Sequence, residues 1–576
     1  MFKLLSKYLQ PYFWFTLPCI VVLVGQAIMN LYLPNLMSDM INDGMMTGNV
    51  NVILEIGAEM LVISFGIAAC AIAANYFASK IAIGSGRDMR NAIFRKVESY
   101  SLREFESIGT ASLITRTTND VVQVQQVVVM AFKFIILAPI TCIGGMIMAL
   151  SKDVSLSVIF AVALPAMLLA MVGLASVVIP SFKLMQKRID HLNLTLRESL
   201  TGIRVIRAFN KTEYDRTRFY DSNKDLMDIA VRVNKVMSVM HPFMMLIMNV
   251  TTIAIIWLGG IRISKAQMDI GAMMAFMQYA IQIIMSVLMV AIMFVMIPRA
   301  QASAVRINEV LDMKAEVLDP ETPEKPTQTR GKVVFKNVTF RYQGSEKPVL
   351  EDISFTSSAG ETTAIIGGTG SGKSTVINLI PRFYDVSEGS VLIDDVDVRE
   401  MRQSTLREKI GFVPQAPILF SGTINENMRF GKKDASAEEI THALTVAQAI
   451  DFVTKMPDQY ETRISQGGTN VSGGQKQRLS IARAMIRKPE IYIFDDSFSA
   501  LDFKTDAALR QALKKETKDA TVLIVAQRVS SIMDSDRIIV LNEGKIVGMG
   551  KHRELLNSCD VYREICSSQL SEEELK

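Results

Sequence analysis

Six long apolar stretches near the start of this chain limit what it can fold into more than any other feature. A helix needs about 20 apolar residues to cross the hydrocarbon core of a bilayer. Runs of that kind fall at 13–36, 57–79, 134–151, 155–182, 239–261 and 270–297. The second carries Glu59 near one end, and the other five are almost free of charge. Residues 330–576 read instead like an ordinary soluble domain, so the 49% hydrophobic content of the 576 residues averages two unlike parts. A net charge of +4 is close to balanced at this length and points to no nucleic-acid partner. Cys19, Cys70, Cys142, Cys559 and Cys566 form no CxxC pair and are expected to be unpaired packing residues. The first apolar run is too long for a cleavable signal and lacks a small-residue cleavage pattern, so it is expected to stay as an anchor.

Lys and Arg orient the six stretches. Residues 37–56 contain neither, the turn after the third stretch has only Lys152, and the turn after the fifth has Arg262 and Lys265. Residues 80–133 hold Lys80, Arg87, Arg90, Arg95, Lys96, Arg103, Arg116 and Lys133, and residues 183–238 hold twelve more. Those two basic segments and both termini are therefore expected in the cytosol, with Glu59 near the outer surface as a solvated helix end. Both segments are helix-compatible with few breakers. Folded as hairpins, their arms of about 25 residues would reach about 38 Å. Short crossing helices are expected at the tips, within Glu104–Asp120 and Thr201–Tyr214. Residues 1–12 (MFKLLSKYLQPY) suit an interfacial helix on the cytosolic face. In the sixth stretch, Gln278, Gln282, Met285, Met289, Met293 and Met296 recur every three or four residues and share one face. Methionine adapts to many shapes, so this face is either a pathway for varied apolar molecules or a helix-packing surface.

Residues 312–331 are polar with three prolines, and the linker is assigned to 301–331. Beyond it, short apolar strands alternate with helical patterns, as in an α/β domain. Gly367-Gly-Thr-Gly-Ser-Gly-Lys-Ser374 fits G-x-x-x-x-G-K-[ST] and follows the apolar strand TTAIIG. Glycines there let backbone N–H groups turn inward around phosphate oxygens. Lys373 would reach the β- and γ-phosphates, Ser374 would give Mg²⁺ an oxygen, and the following helix would aim its positive end at the anion. Ile491-Tyr-Ile-Phe-Asp495-Asp496 reads as a buried strand that delivers Asp495 to the metal side, with the next position placed to orient an attacking water.

Between those motifs lies Val471-Ser-Gly-Gly-Gln-Lys-Gln-Arg478, which resembles the signature sequence of ABC transporter nucleotide-binding domains. Other pieces match in order: Tyr342 resembles the aromatic that stacks on adenine, Gln415 the Q-loop glutamine, and Ser499-Ala-Leu-Asp502 the D-loop. Six spanning helices before the ATP domain are similar to type I (type IV) ABC exporters. The resemblance implies a polytopic α-helical membrane domain with long cytosolic extensions, fused to an α/β P-loop ATPase domain. It implies an elbow helix at 1–12, a transmembrane domain at 13–300, a nucleotide-binding domain at 332–570 and a tail at 571–576. The cofactors it implies are ATP and Mg²⁺. ATP would be bound by Tyr342, Gly367, Gly368, Thr369, Gly370, Ser371, Gly372, Lys373, Ser374 and Thr375, and the metal by Ser374, Gln415 and Asp495. Ser472, Gly473, Gly474, Gln475 and Asp502 would complete the ATP site of a partner half-transporter. The hairpin tips would be coupling helices, one on the chain's own ATP domain and one on the partner's.

Departures from the family pattern sharpen the expectation. Asp496 stands where Glu is usual, Gln527 where the switch His is usual, and Ser465-Gln-Gly-Gly468 where a GERG-like stretch is usual. Asp is one methylene shorter than Glu, and Gln cannot become cationic beside a γ-phosphate. Asp496 and Gln527 belong to the site built on the chain's own P-loop, whereas the signature belongs to the other site. The pattern resembles the degenerate-site subunit of heterodimeric bacterial multidrug exporters. It implies export of amphipathic drugs or lipids across the cell membrane, among membrane lipids. A dedicated peptide or lipid exporter, and a regulatory ATP-binding subunit, are the alternatives in function, and a homodimer that tolerates both substitutions is the alternative in assembly.

Overall fold

The computed structural model describes residues 1–326 and 330–570, so 327–329 of the linker and the 571–576 tail lie outside the described residues. The chain divides into two compact units, residues 1–98 with 109–313 and residues 99–108 with 314–576.

In the first unit, six helices are long and apolar enough to cross a membrane. All six apolar stretches fall inside them, because an unbroken helix satisfies every backbone group where no water can. The helices also run well past the hydrocarbon thickness. The second spans Val50–Glu98, the fourth Val154–Thr201 and the fifth Thr212–Ser264, at 49, 48 and 53 residues. The fourth and fifth stay paired beyond their apolar parts: Ser199 Oγ donates to Asp215 Oδ1 over 2.8 Å, and Arg218 pairs with Glu198. Their tip is the short helix Ile203–Ala208. The N-terminal helix Phe2–Leu9 leads through Gln10–Tyr12 into the first spanning helix, Phe13–Asp39. Tyr12 lies against Gly84, where an added Cβ would meet its ring at 2.4 Å, and its hydroxyl donates to Asp88 Oδ2 over 2.8 Å.

Two boundaries differ from the expectation. The first crossing helix is only Leu102–Ile108, because Gly109 breaks it at φ +79° and Thr110 already starts the third spanning helix, Thr110–Lys152. The sixth helix runs from Ile270 to Asp312, through residues 301–312 that were expected to be linker. Ala300, Ala304, Ile307 and Val310 are buried there at helical spacing. Asp120 of the third helix, itself buried, accepts from Ser303 Oγ over 2.9 Å and from Arg306 Nε over 2.7 Å.

The second unit is built on strands β1 Val333–Phe340, β2 Leu350–Ser357, β3 Thr362–Gly367, β4 Glu388–Ile393, β5 Val396–Asp397, β6 Ile410–Val413, β7 Gly422–Thr423, β8 Arg463–Ile464, β9 Ile491–Asp495, β10 Thr521–Val525, β11 Arg537–Asn542 and β12 Lys545–Gly550. One sheet has the order β2-β1-β4-β5 and is antiparallel. The larger has the order β12-β11-β3-β10-β9-β6 and is parallel except for β12. β9 and β10 are buried along their whole length, as the near-continuous apolar runs of a covered parallel sheet require. Residues 99–108 pack on this unit. Arg103 Nε donates to Gln343 Oε1 over 2.9 Å, Arg103 pairs with Glu316, and the Tyr384 hydroxyl donates to Glu106 Oε2 over 3.2 Å.

Candidate functional site

Open parallel sheets bind ligands beyond the carboxyl ends of their strands. In the order β3-β10-β9-β6, those ends deliver the 367–373 loop after β3, Gln527 two residues after β10, Asp495 and Asp496 at the end of β9, and Gln415 two residues after β6. Residues separated by more than 100 positions in the sequence thus share one edge.

The loop after β3 has the shape of an anion cradle. Gly370 and Gly372 take φ of +81° and +96°, a left-handed backbone in which a side chain would be strained. An added Cβ on Gly368 or Gly370 would meet nothing within 4 Å, whereas one on Gly367 would meet Leu541 O at 2.1 Å. The loop is therefore open where its second and fourth residues face and closely packed at its base. Lys373 Nζ donates to the carbonyls of Gly367 and Gly368, at 2.9 and 2.7 Å. Burial pushes the Lys373 ammonium below its usual range, and the Asp496 and Asp495 carboxylates partly restore it. Ser371 Oγ is buried without a hydrogen-bond partner.

Ser374 Oγ donates to Asp495 Oδ1 over 3.3 Å. Asp495 and Asp496 are both buried, and burial pushes both carboxyls above the usual carboxylate range. The Ser374 hydrogen bond works against this at Asp495, and hydrogen bonds from Gln415 and others do so at Asp496. Ser374, Asp495 and Gln415 are hard oxygen donors of the kind Mg²⁺ takes alongside phosphate oxygens. A divalent cation fits here because it would add positive charge beside two buried adjacent carboxylates whose burial the Lys373 ammonium only partly offsets.

Asp496 takes φ +44°, and its carboxylate is held from two sides. Gln415 Nε2 donates to its Oδ2 over 3.2 Å, and Gln527 Nε2 donates to the same oxygen over 2.9 Å. Asp496, Gln527 and Gln415 are thus in direct contact.

Tyr342 packs edge-on against Phe340 and Tyr384, with centroids 4.8 and 5.5 Å apart, and its hydroxyl lies 3.3 Å from Thr375 Oγ1. This ties the candidate base platform to the P-loop helix. Tyr384 and Glu106 escaped the sequence reading, because their contact joins residues 278 positions apart. Ser472 caps the helix Gly473–Met485 in a reciprocal box with Gln475, Ser472 N donating to Gln475 Oε1 over 2.9 Å and Gln475 N to Ser472 Oγ over 3.3 Å. Asp502 caps Phe503–Glu516 through Thr505 N over 3.0 Å. Among the described residues, no hydrogen bond joins Ser472–Gln475 to the 367–374 loop.

On the sixth spanning helix Gln278, Met285 and Met289 are exposed, Gln282 is half-buried and Met293 is buried. The stripe therefore does not form one uniform surface. Gln282 is engaged in a hydrogen bond to the first helix, described below.

The family described as ABC transporter transmembrane region matches residues 16–287, and that described as ABC transporter matches residues 350–499. The chain is similar to an uncharacterized ABC transporter ATP-binding protein of Mycobacterium tuberculosis, 41% identical over 570 residues that cover 98% of each chain. It is similar to the ATP-dependent lipid A-core flippase of Syntrophus aciditrophicus, 32% identical over 85% of this chain and 81% of that one. It is also similar to a solved bacterial Atm1-family ABC exporter with ATP bound, at 25% identity and a TM-score of 0.81 over 97% of this chain and 98% of that one.

Proposed function

The chain belongs to the ABC transporter family, and from that premise we propose that it is one half of a heterodimeric exporter of amphipathic drugs or lipids whose own ATP site is degenerate. As a member of that family it is an ATP-hydrolysing, multi-pass membrane protein with an exporter fold. The Lys and Arg distribution supports a cytosolic ATP domain and cytosolic termini, and the bacterial relatives support a bacterial cell membrane.

The observation that carries the reading is the clamp on Asp496. A carboxylate that is one methylene short, with one oxygen held by Gln415 and Gln527, is poorly placed to take a proton from water. Gln527 keeps a hydrogen bond but no positive charge to lend a γ-phosphate. Tyr342 would stack on adenine, the 367–372 amides and Lys373 would hold phosphates, and Ser374, Asp495 and Gln415 would hold Mg²⁺. Bound Mg²⁺ would neutralise charge on the phosphate oxygens. The chain's own site would thus keep its binding parts and hydrolyse ATP slowly. Ser472, Gly473, Gly474, Gln475 and Asp502 would face the partner's nucleotide and support turnover there. ATP acts by binding the closed pair of domains more tightly than the open pair. The segment at 102–108, which touches Gln343, Glu316 and Tyr384, would carry that closure toward the spanning helices.

Similarity to a lipid flippase favours lipid as the cargo within this reading. The test is ATPase rate in the purified complex, after the co-purifying chain is identified. Glu→Gln at the matching partner position is expected to abolish turnover, while Asp496→Asn keeps most of it. A chain that purifies alone as an active dimer and loses its activity with Asp496→Asn would refute the heterodimer.

A further inference from the structure

The seam between the first and sixth spanning helices carries polar groups that ATP chemistry does not use. Pro34 lies inside the first helix. Proline has no N–H, so the carbonyl of Asn30, four residues earlier, loses its helical donor. The sixth helix supplies the replacement: Gln282 Nε2 donates to Asn30 O over 3.1 Å. One turn away, the fully buried Tyr279 donates its hydroxyl to Leu31 O over 3.0 Å. A carbonyl can only accept, so the Gln282 amide must turn its nitrogen toward Asn30. Its Oε1 is then buried with no hydrogen-bond partner. An unpaired buried acceptor weakens the closed seam it sits in.

The third helix closes on the same place. A Cβ on Gly144 would meet Leu31 Cδ1 at 2.4 Å, and one on Gly145 would meet Ile283 Cγ1 at 3.0 Å. None of the facing segments, 13–38, 138–151 and 270–298, contains Asp, Glu, Lys, Arg or His. Within these segments a charged head group would find no counter-ion, and Asp39, just beyond the first of them, acts on Tyr279 and would repel an anion. When the helices part, the Asn30 carbonyl needs a new donor, because lipid offers none, whereas the Leu31 carbonyl keeps the N–H of Asn35 in its own helix. Beyond Gln282 on the sixth helix, Met285 and Met289 are exposed and adaptable.

We propose that this seam is a head-group site for an uncharged amphiphile. Its hydroxyl or amide N–H groups take over the Asn30 carbonyl and Gln282 Oε1, and its apolar tail lies along Met285 and Met289. The inference rests on the cargo-export reading and is independent of which partner the chain has.

The probes are 1-monooleoylglycerol and its di-O-methyl ether, which share a tail and differ in donors. ATPase stimulation is measured on the full-length complex in nanodiscs. The expected half-effective concentration of monooleoylglycerol is at least tenfold below that of the ether. That preference should fall below threefold in Gln282→Met, which removes the unpaired acceptor, and should not fall in Tyr279→Phe, which removes only a neighbouring donor and keeps the ring. Equal potency in the wild type, no stimulation by either probe, or a preference unchanged in a folded Gln282→Met overturns the proposal. If Gln282→Met does not fold, Pro34→Ala decides: it returns an N–H to the Asn30 carbonyl and should lower the preference, and an unchanged preference overturns the proposal. A Lys373→Ala control in both chains separates the two levels. If ATPase persists in it, the transporter reading itself fails; if ATPase is lost, only the head-group site is at stake.

Discussion

Replacing Asp496 by Glu should speed hydrolysis at the chain's own ATP site by about 10- to 50-fold, a range set by two opposed effects. One added methylene extends the carboxylate by about 1.5 Å, the length of a C–C bond. A misplacement of about 1 Å can cost about 100-fold, or about 2.7 kcal/mol at 1.36 kcal/mol per tenfold. Recovery is incomplete because Gln415 and Gln527 hold Oδ2 at 3.2 and 2.9 Å. A hydrogen bond to a charged group contributes about 1.5–3 kcal/mol net, and whatever part is lost when the carboxylate turns toward water opposes the gain. Adding Gln527→His removes one clamp and supplies a group that can become cationic, so the double variant should exceed Asp496→Glu by a further fivefold or more. The assay is phosphate release from the complex with the partner's P-loop lysine replaced, which leaves only this site active. A rate for Asp496→Glu within twofold of wild type would refute the reach argument. A gain from Gln527→His alone that exceeds Asp496→Glu would place the defect at the switch instead.

Three further outcomes are expected. Burial raises the Asp495 carboxyl above its usual range, so its contribution to stability is fully present below the ordinary carboxylate pKa and is lost as pH rises through the raised value. In chelator and without nucleotide, Asp495→Asn should therefore unfold about 2 °C or more above wild type at pH 7.5, with the gap narrowing toward pH 4; a lower melting temperature at pH 7.5 would contradict this. Lys409 is buried between Asp394 and Glu490, at 3.1 and 2.6 Å. Lys409→Met should cost about 3–5 kcal/mol by stranding the Asp394 carboxylate, read as a lost yield of folded protein that Lys409→Met with Asp394→Asn restores at least in part; a normal yield from the single variant would count against it. Ser472→Ala should cost about 1 kcal/mol through the lost helix cap, yet lower ATPase of the complex by about 100-fold or more if its hydroxyl meets the partner's nucleotide. A drop of less than threefold would leave Ser472 with its capping role alone.

Whether a feature could be read in the sequence depended on whether its partners were local or far apart. The spanning helices were legible because a bilayer demands about 20 apolar residues in a row. The gathering of the candidate residues at one edge was legible because each strand of one parallel sheet carries its candidate residue within a few positions of its own end, as Gly367 ends β3 and Asp495 ends β9. Even the capping role of Ser472 could be read from Ser-x-x-Gln, a local pattern. The extension of the sixth helix to Asp312 could not, because Arg306 and Ser303 are fixed by Asp120, which lies more than 180 positions away. Gln282 shows the limit most clearly. Helical spacing placed it on a face with Met285 and Met289, but nothing local to it shows that it answers the carbonyl that Pro34 leaves without a donor. That match needs the register between the first and sixth helices, which side-chain packing sets through contacts such as those at Gly144 and Gly145. In the proposed head-group site the same amide closes the seam and leaves an acceptor unpaired, so packing and cargo recognition at Gln282 would be two states of one hydrogen-bond set.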